Sequence, residues 1–263
     1  MMNAMSDSSS GGDDKRRFRA DFQDGRLYET WGAIHSKNGY LADWAAHRLR
    51  EVLAVIDQRA MGRSGLALDI GVGSGELVAQ LARRGCTVFG ADFSLPILRD
   101  GRARWEKART GAVGGWTLGD VEALPVKSDS LSLVTCLGVL EYLSSDGIAL
   151  AELYRVVAPG GYVVLSVASY HRLGSLMALV RARLRRYRKG AEDRPRGQAV
   201  VERQVRLVKP LDLKREAKDA GFVVEVFRCF GARLMGRYVP IRIVVPGVIY
   251  IGDHCLLVLR KPR

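Results

Sequence analysis

The residues best suited to chemistry are an aspartate and three glycines in LALDIGVGSGELVAQLA, residues 66–82. Asp69 ends an apolar run, Gly71, Gly73 and Gly75 follow at alternate positions, and an apolar-periodic stretch begins after them. Glycines at the carboxyl end of a buried strand let a ligand approach the backbone closely, beside the first free N–H groups of a helix. A tight turn without a ligand does not account well for three alternating glycines. We therefore expect a ligand at this turn.

Two later aspartates follow strand-like segments in the same way. Asp92 ends VFGAD about 20 residues beyond the glycines, the spacing at which a carboxylate accepts the ribose hydroxyls of a nucleotide. It also lies where an aspartate would cap the next helix, and we favour the ribose role. Asp120 in GDVEALP could accept from an exocyclic amino group with Val121 against the base, although Gly-Asp alone is an ordinary turn. Together these segments predict a nucleoside pocket. Glu76, after the third glycine, argues against a dinucleotide fingerprint.

Strand-like and helix-like segments alternate along the chain, which predicts a parallel sheet covered on both faces. The strand-like segments are residues 66–70, 86–92, 116–120, 131–138 and 161–167, with two final ones at 223–230 and 254–262. The helical patterns are residues 27–57, 75–85 and 209–222.

Four of these segments, in this order, resemble a class I S-adenosylmethionine-dependent methyltransferase, of the broad group that includes the ubiquinone and menaquinone methyltransferases. They are LDIGVGSG, GADFS, GDVEALPVKSDSLSLVTCLGVLEYL and ELYRVVAPGGYVVLS, within about Leu66 to Ser166. The resemblance implies an α/β fold: a Rossmann-like, doubly wound sheet of seven strands, mostly parallel with the last strand antiparallel. It also implies S-adenosyl-L-methionine as the cofactor and direct methyl transfer to an aligned nucleophile.

The resemblance also implies a set of cofactor-binding residues. Gly71 and Gly73, with Gly75 beside them, face the methionine part, while Asp69 supports its amino group. Asp92 with Phe93 holds the ribose, Asp120 and Val121 read the adenine, and Leu137 and Gly138 lie near the sulfonium. Tyr28 and Trp31 resemble the leading aromatic segment that folds over the cofactor, and core packing explains these two aromatics equally well.

A hydroxyl acceptor needs a general base, and histidine is the usual one. His171 follows the fifth strand, at the expected active-site edge, so we rank it first; a surface hydrogen bond is its structural alternative. Glu141 and Tyr142, after the fourth strand, come next. The other histidines are His35, His47 and His254, and no set of residues has metal-ligand spacing.

The bulk properties are those of one elaborated domain. A chain of 263 residues can bury a full core, and we expect a disordered leader over 1–17 and a single domain over 18–263. The leader lacks a signal-peptide pattern, no run of about 18 apolar residues occurs, and the four cysteines look like buried thiols. These features predict a cytoplasmic protein.

Two insertions, at about 171–205 and 233–253, exceed the minimal fold, and we expect them to form an acceptor-side lid. Residues 172–189 form an amphipathic, arginine-rich pattern that suits an anionic membrane surface; a lid helix with a solvated basic face is the alternative. Residues 233–253 are apolar but broken by prolines and glycine. We therefore predict a small, hydrophobic acceptor, lipid-linked, quinone-like or natural-product-like, collected peripherally at a membrane.

Two other interpretations stay open. The net charge of +13 also suits nucleic acid, so an RNA (tRNA) methyltransferase is an alternative, although the arginines alternate with aliphatic more than aromatic residues. A non-catalytic subunit that binds S-adenosylmethionine is the other. The oligomeric state is not predicted.

Overall fold

The computed structural model describes residues 40–63, 65–108, 113–169, 206–234, 237–240, 243–245 and 249–263. A seven-stranded sheet forms its centre. The strands of this sheet are β1 (Leu66–Ile70), β2 (Thr87–Asp92), β3 (Val113–Leu118), β4 (Leu131–Leu137), β5 (Val157–Ala168), β6 (Val223–Phe230) and β11 (His254–Arg260). Four short strands, β7 (Ala232–Leu234), β8 (Arg237–Val239), β9 (Ile243–Val245) and β10 (Ile249–Ile251), form two separate antiparallel pairs, β7–β8 and β9–β10.

The strand order is β3-β2-β1-β4-β5-β11-β6. Strands β1 to β5 are parallel to one another, and β11 runs antiparallel to both β5 and β6. The chain winds outward from β1 to β3 and then crosses to β4 on the other side of β1. In open α/β sheets, the carboxyl ends of the strands at such a switch point form the ligand-binding crevice. The fold therefore places the site at the ends of β1 and β4.

Helices cover both faces of the sheet. They are α1 (Tyr40–Gln58), α2 (Glu76–Arg83), α3 (Leu95–Ala108), α4 (Gly147–Val156) and α5 (Pro210–Asp219), with a 3₁₀ turn at Leu140–Tyr142. Apolar residues of α1, α2 and α3 pack on one face, and those of α4 and α5 pack on the other. Each fully buried leucine or valine in these layers contributes about 1.5–3 kcal/mol relative to exposure.

The predicted fold class is confirmed, including the antiparallel last strand. Segments 66–70 and 223–230 are strands over the predicted residues. The largest difference is β5, predicted from residue 161 but beginning at Val157. The pairing with β4 is irregular there, because Leu131 lies opposite Val157 while Leu133 lies opposite Tyr162. Pro159 and Gly160 lie in this bulge. Because proline and glycine are typical of turns, the sequence did not indicate that the strand begins before them.

Other boundaries shift for local reasons. The third strand was predicted over 116–120 and is β3, which ends at Leu118 because Asp120 begins a turn, with the Ala123 N–H donating to the Asp120 carbonyl. Helix α5 was predicted over 209–222 and ends at Asp219, before Gly221, whose φ is +100°. Of the leading helical pattern, 27–57, the structure describes α1 only.

All four cysteines are buried free thiols, as predicted. No helix among the described residues combines the length and apolarity that crossing a membrane requires. In the part of the chain that is described, no group of His, Cys, Asp and Glu residues could hold a metal ion. The leader, 1–17, and the whole of the first insertion, 171–205, lie outside the described residues.

Candidate active site

The glycine turn between β1 and α2 has a backbone that only glycine adopts easily. Gly71, Gly73 and Gly75 have φ values of +74°, +49° and +74°. A Cβ at Gly71 would lie 2.4 Å from Val139 Cγ2, and one at Gly75 would lie 3.0 Å from the Gly101 carbonyl oxygen. A Cβ at Gly73 would meet nothing closer than 4.0 Å, so packing does not require that glycine. The turn is therefore open to a ligand at Gly73.

Asp69 is the next-to-last residue of β1, directly before the glycine turn, and it is buried. Its carboxylate accepts a hydrogen bond of 2.6 Å from the Thr135 hydroxyl, on the neighbouring strand β4. The pKa of Asp69 is raised to about 7, mainly by burial and also by the nearby Asp92, while the Thr135 hydrogen bond and Arg48 act to lower it. Such a carboxylate is ready to pair with a cation that enters the site.

Asp92 ends β2 and is also buried. Its carboxylate accepts the Ser94 N–H at 2.9 Å, which is the bond of an Asx turn that leads into α3; the residue directly before the helix is Ser94, not Asp92. The N–H groups of Gly73 and Phe93 also stabilise its ionised form, while burial raises its pKa to about 6. Asp92 thus connects the end of β2 to the glycine turn. These bonds support the turns on both sides of Asp92 and do not cap α3, and the ribose role stays a prediction.

Asp120 and Val121 follow β3 at the same edge of the sheet. Asp120 Oδ1 accepts the Glu122 N–H at 3.1 Å, so this segment is the ordinary turn that the sequence allowed. Val121 is buried, whereas two large apolar side chains nearby along the edge are exposed: Leu118, at the end of β3, by 54%, and Leu95, at the start of α3, by 42%. Exposed leucines flanking this edge provide the apolar surfaces that a flat base requires.

Arg48, on α1, is a site residue that the sequence analysis missed. A Cβ at Gly138 would lie 2.9 Å from Arg48 Nη1, so the guanidinium covers this glycine. The guanidinium also stacks on Trp44, 4.3 Å from the ring centroid. Burial lowers the pKa of Arg48, while Glu141, Tyr142 and Asp69 act in the opposite direction. In the sequence, HRLRE reads only as the polar face of an amphipathic helix.

The turn after β4 carries three of the predicted residues. Leu137 ends the strand, and Gly138 has a φ of +74° and donates its N–H to the Ser166 carbonyl on β5 at 2.8 Å. Glu141 and Tyr142 then form the 3₁₀ turn, in which Glu141 is only 6% exposed. Glu141 Oε1 lies 3.5 Å from the position of a Cβ at Gly138. Glu141, Arg48 and Gly138 are therefore neighbours.

His254 begins the last strand, as the sequence predicts, but its place at the active-site edge was not predicted. Because β11 is antiparallel, its first residue lies at the edge where the parallel strands end, opposite Ala168 and Phe230. His254 is buried, and its ring lies 4.4 Å from that of Trp44. His47 instead faces the β7–β8 hairpin, with its Nδ1 2.7 Å from the Tyr238 hydroxyl.

Four sequence-predicted aromatic or histidine residues lie outside the described residues: Tyr28, Trp31, His35 and His171. The remaining predicted residues come together at one edge of the sheet, in two groups. Asp69, the glycine turn, Asp92, Asp120 and Val121 form the group at β1 to β3. Leu137, Gly138, Glu141 and Tyr142 form the group beyond β4, and Arg48 lies between the two.

Comparison with known proteins identifies the class. The model of the methyltransferase domain family matches residues 68–165. The chain is 30% identical over 176 residues to the ubiquinone biosynthesis O-methyltransferase of Thiobacillus denitrificans, covering 65% of this chain and 69% of that relative. It is 27% identical over 199 residues to the protein of that name from Psychrobacter arcticus, covering 73% of this chain and 74% of that relative. The chain belongs to the class I S-adenosylmethionine-dependent methyltransferases.

Solved structures agree on the fold. Magnesium protoporphyrin IX methyltransferase from Synechocystis, with S-adenosylhomocysteine (SAH) bound, superimposes with a TM-score of 0.67 at 18% identity, covering 94% of this chain and 99% of that one. The same enzyme with S-adenosylmethionine (SAM) bound gives 0.63 at 17% identity, covering 99% and 100%. These structures show the fold, and membership of the methyltransferase family makes the protein an enzyme that uses SAM.

Proposed function

We propose that this protein transfers the methyl group of SAM to a hydroxyl of a small hydrophobic acceptor. The observation that carries the acceptor class is the apolar ribbon formed by β9 and β10, whose strands read IVV and IYI. The ribbon packs near β6, and its second strand ends three residues before His254, at the active-site edge. An apolar segment at this place suits an acceptor with a hydrocarbon portion.

The charges of the site fit the methionine part of the cofactor, which is a zwitterion with an additional sulfonium charge. Asp69 supplies a carboxylate for its ammonium group, and Arg48 supplies a planar guanidinium for its carboxylate. Gly71 and Gly73 let this part lie directly on the backbone, and Gly75 begins the helix beyond it. The two oppositely charged side chains lie in one buried region, because each influences the pKa of the other.

The nucleoside part would extend along the same edge towards β3. Asp92, with Phe93 beside it, would accept the ribose hydroxyls. Asp120 would accept a hydrogen bond from the adenine amino group, and Val121 would pack against the ring. The order of these residues across β2 and β3 matches the order of ribose and base in the cofactor.

When bound, the sulfonium supplies an activated methyl group with its own leaving group. Leu137 and Gly138 would lie beside it, and the surrounding residues align the acceptor and exclude water. Glu141 and Tyr142 follow directly and are candidates to take the acceptor's proton, as is His171, which lies outside the described residues. His254 joins them, because the direction of β11 brings it to this edge.

The relatives support the acceptor class by their names, which describe O-methylation in ubiquinone biosynthesis. The structural neighbour from Synechocystis acts, by its name, on magnesium protoporphyrin IX, which is also a small-molecule acceptor. We retain the earlier hypotheses that residues 172–189 contact an anionic membrane peripherally and that insertions 171–205 and 233–253 form the acceptor side of one domain. An RNA acceptor and a non-catalytic SAM-binding role are the alternatives.

A panel assay of SAH release tests the proposal. The full chain is incubated with SAM and, separately, with a catechol bearing a short isoprenyl tail, the same catechol without the tail, a porphyrin carboxylate and tRNA. We expect turnover on the tailed catechol with a KM at least about tenfold lower than on its tailless control, because the tail buries apolar surface. Methylation of tRNA alone would reverse the assignment. SAH binding without turnover of any acceptor would favour the non-catalytic role.

The membrane hypothesis has its own test. The protein should cosediment at low salt with liposomes in which one third of the lipid is anionic phosphatidylglycerol. It should be released at high salt, since the binding of a polybasic segment is electrostatic. Neutral phosphatidylcholine liposomes are the control. Equal sedimentation with both would remove the anionic surface from the proposal.

Cofactor affinity should depend on pH through Asp69. The pKa of this carboxyl is raised to about 7 in the absence of cofactor, so it is largely neutral at pH 5.5 and ionised at pH 8. Only the ionised form pairs with the cofactor ammonium, so the affinity for SAH should fall at least about tenfold from pH 8 to pH 5.5. Isothermal titration calorimetry measures this, with Asp69→Asn as control: its affinity should be low and nearly flat with pH. An unchanged slope in that variant would contradict the assignment.

A further inference from the structure

Arg206 is joined to the turn that carries Glu141 by several bonds. Its backbone N–H donates to the Glu141 carbonyl at 2.8 Å. Its side chain donates to the carbonyls of Leu143 and Leu140, each at 3.1 Å, and forms an ion pair with the buried Asp146. One residue therefore contacts both ends of the 3₁₀ turn and the residue that precedes α4. We call this set of contacts the Arg206 clasp.

Arginine is the side chain that can make such a clasp. A guanidinium offers five N–H donors in a rigid plane, so it can satisfy two carbonyls and a carboxylate together, whereas a lysine ammonium cannot match that geometry. A 3₁₀ turn of three residues has weak internal hydrogen bonding and leaves carbonyls to be satisfied from outside. The turn therefore depends on Arg206 for its conformation.

The clasp is anchored to the sheet on its other side. Val208, two residues after Arg206, donates its N–H to the Ala168 carbonyl at 3.0 Å and pairs with Ser169 in a parallel bridge. Arg206 is thereby fixed relative to the end of β5. Through the bonds of the Arg206 clasp, the turn after β4 is therefore held at a fixed position relative to the end of β5.

We propose that Arg206 is a positioning residue for the methyl-transfer site, which holds the Glu141 carboxylate beside Gly138 and thus beside the cofactor sulfonium. The inference rests on the proposed placement of the cofactor and deepens it. A carboxylate at this place favours the positively charged SAM over the uncharged thioether of SAH. Arg206 itself touches neither the cofactor nor the acceptor.

The proposal predicts a change in selectivity as well as in stability. The preference for SAM over SAH is the dissociation constant of SAH divided by that of SAM. In the Arg206→Met variant this ratio should fall about fivefold, because Glu141 is no longer held in place. Arg206→Lys should lie between this variant and the wild type. If Arg206→Met does not fold, Arg206→Lys alone tests the direction of the change.

A matched control exists at the other end of the site. Arg155 makes a similar set of bonds, to the carbonyls of Val126 at 2.8 Å and Leu124 at 3.1 Å and to Glu152, but it holds the loop after Asp120. Arg155→Met should therefore lower the melting temperature without changing the SAM to SAH ratio. Equal changes of the ratio in both variants would mean general loosening and would overturn the proposal.

A double-mutant cycle assigns the effect to Glu141. Glu141→Gln should lower the ratio by itself, and adding Arg206→Met should lower it little further if Arg206 acts through Glu141. Independent, additive losses would overturn the inference while leaving the proposed function intact. If substitutions of Asp69 and Asp92 in the otherwise wild-type protein left its SAH affinity unchanged, the cofactor placement would be overturned, and the inference with it.

Discussion

Replacing Asp92 by alanine should weaken the binding of SAH about 100-fold or more. The carboxylate is buried at the end of β2, and the ribose would give it two hydrogen bonds to a charged acceptor, each contributing about 1.5–3 kcal/mol. The variant also loses the bonds that Asp92 accepts from the backbone near Ser94 and Gly73, so the glycine turn loses one of its supports. Isothermal titration calorimetry with SAH at pH 8 measures the loss.

Two variants separate these contributions. Asp92→Asn keeps the shape and one acceptor oxygen, so its affinity should fall less, by about tenfold. Asp212→Ala is the control. It removes a partly exposed carboxylate on α5 that forms an ion pair with the exposed Arg215, and the variant should bind SAH as the wild type does. If Asp92→Ala bound SAH within threefold of the wild type, the nucleoside pocket would be wrongly assigned.

Replacing Arg48 by methionine should have the next largest effect. Methionine keeps much of the apolar stem but leaves Asp69 and Glu141 without the buried cation between them, and it removes the partner proposed for the cofactor carboxylate. Removing one member of a buried charge set typically costs about 3–5 kcal/mol. SAH affinity should therefore fall about 100-fold, and the melting temperature should fall as well.

The pH dependence gives this prediction a sharper form. Arg48 is one of the groups that lower the pKa of Asp69, so without it that pKa rises above about 7. The pH at which SAH binding reaches half of its full affinity should move upward in Arg48→Met. Arg50→Met, an exposed arginine on the same helix, is the control and should leave the midpoint unchanged. If the pH midpoint of SAH binding did not move in either variant, the claim that Arg48 lowers the pKa of Asp69 would be contradicted.

Local sequence patterns were sufficient for the sheet and for the cofactor edge. Strand β1 is a short apolar run with Asp69 as its next-to-last residue, and three alternating glycines with positive φ follow it, so these residue types indicate the backbone conformation. The ends of parallel strands meet at one edge, which is why residues 50 positions apart could be assigned to one site from their order alone.

Arg48 and His254 escaped prediction because their positions depend on long-range packing. Arg48 looks like any arginine of an amphipathic helix, and only the placement of α1 over the end of β4 buries it against Gly138. His254 begins a strand whose antiparallel direction was expected, but the consequence of that direction for its first residue was not drawn. The Arg206 clasp is of the same kind, because residues 60 positions apart meet through irregular segments without periodicity.

The position of β11 between β5 and β6 also has a consequence for synthesis on the ribosome. Among the described strands, β6 pairs with β11 alone, although β11 comes later in the chain. The five parallel strands and their glycine turn can assemble as soon as they emerge, but β6 waits without this partner until β11 has left the exit tunnel. A chain released just before His254 would keep the half that carries the glycine turn and lose the docking of the other half.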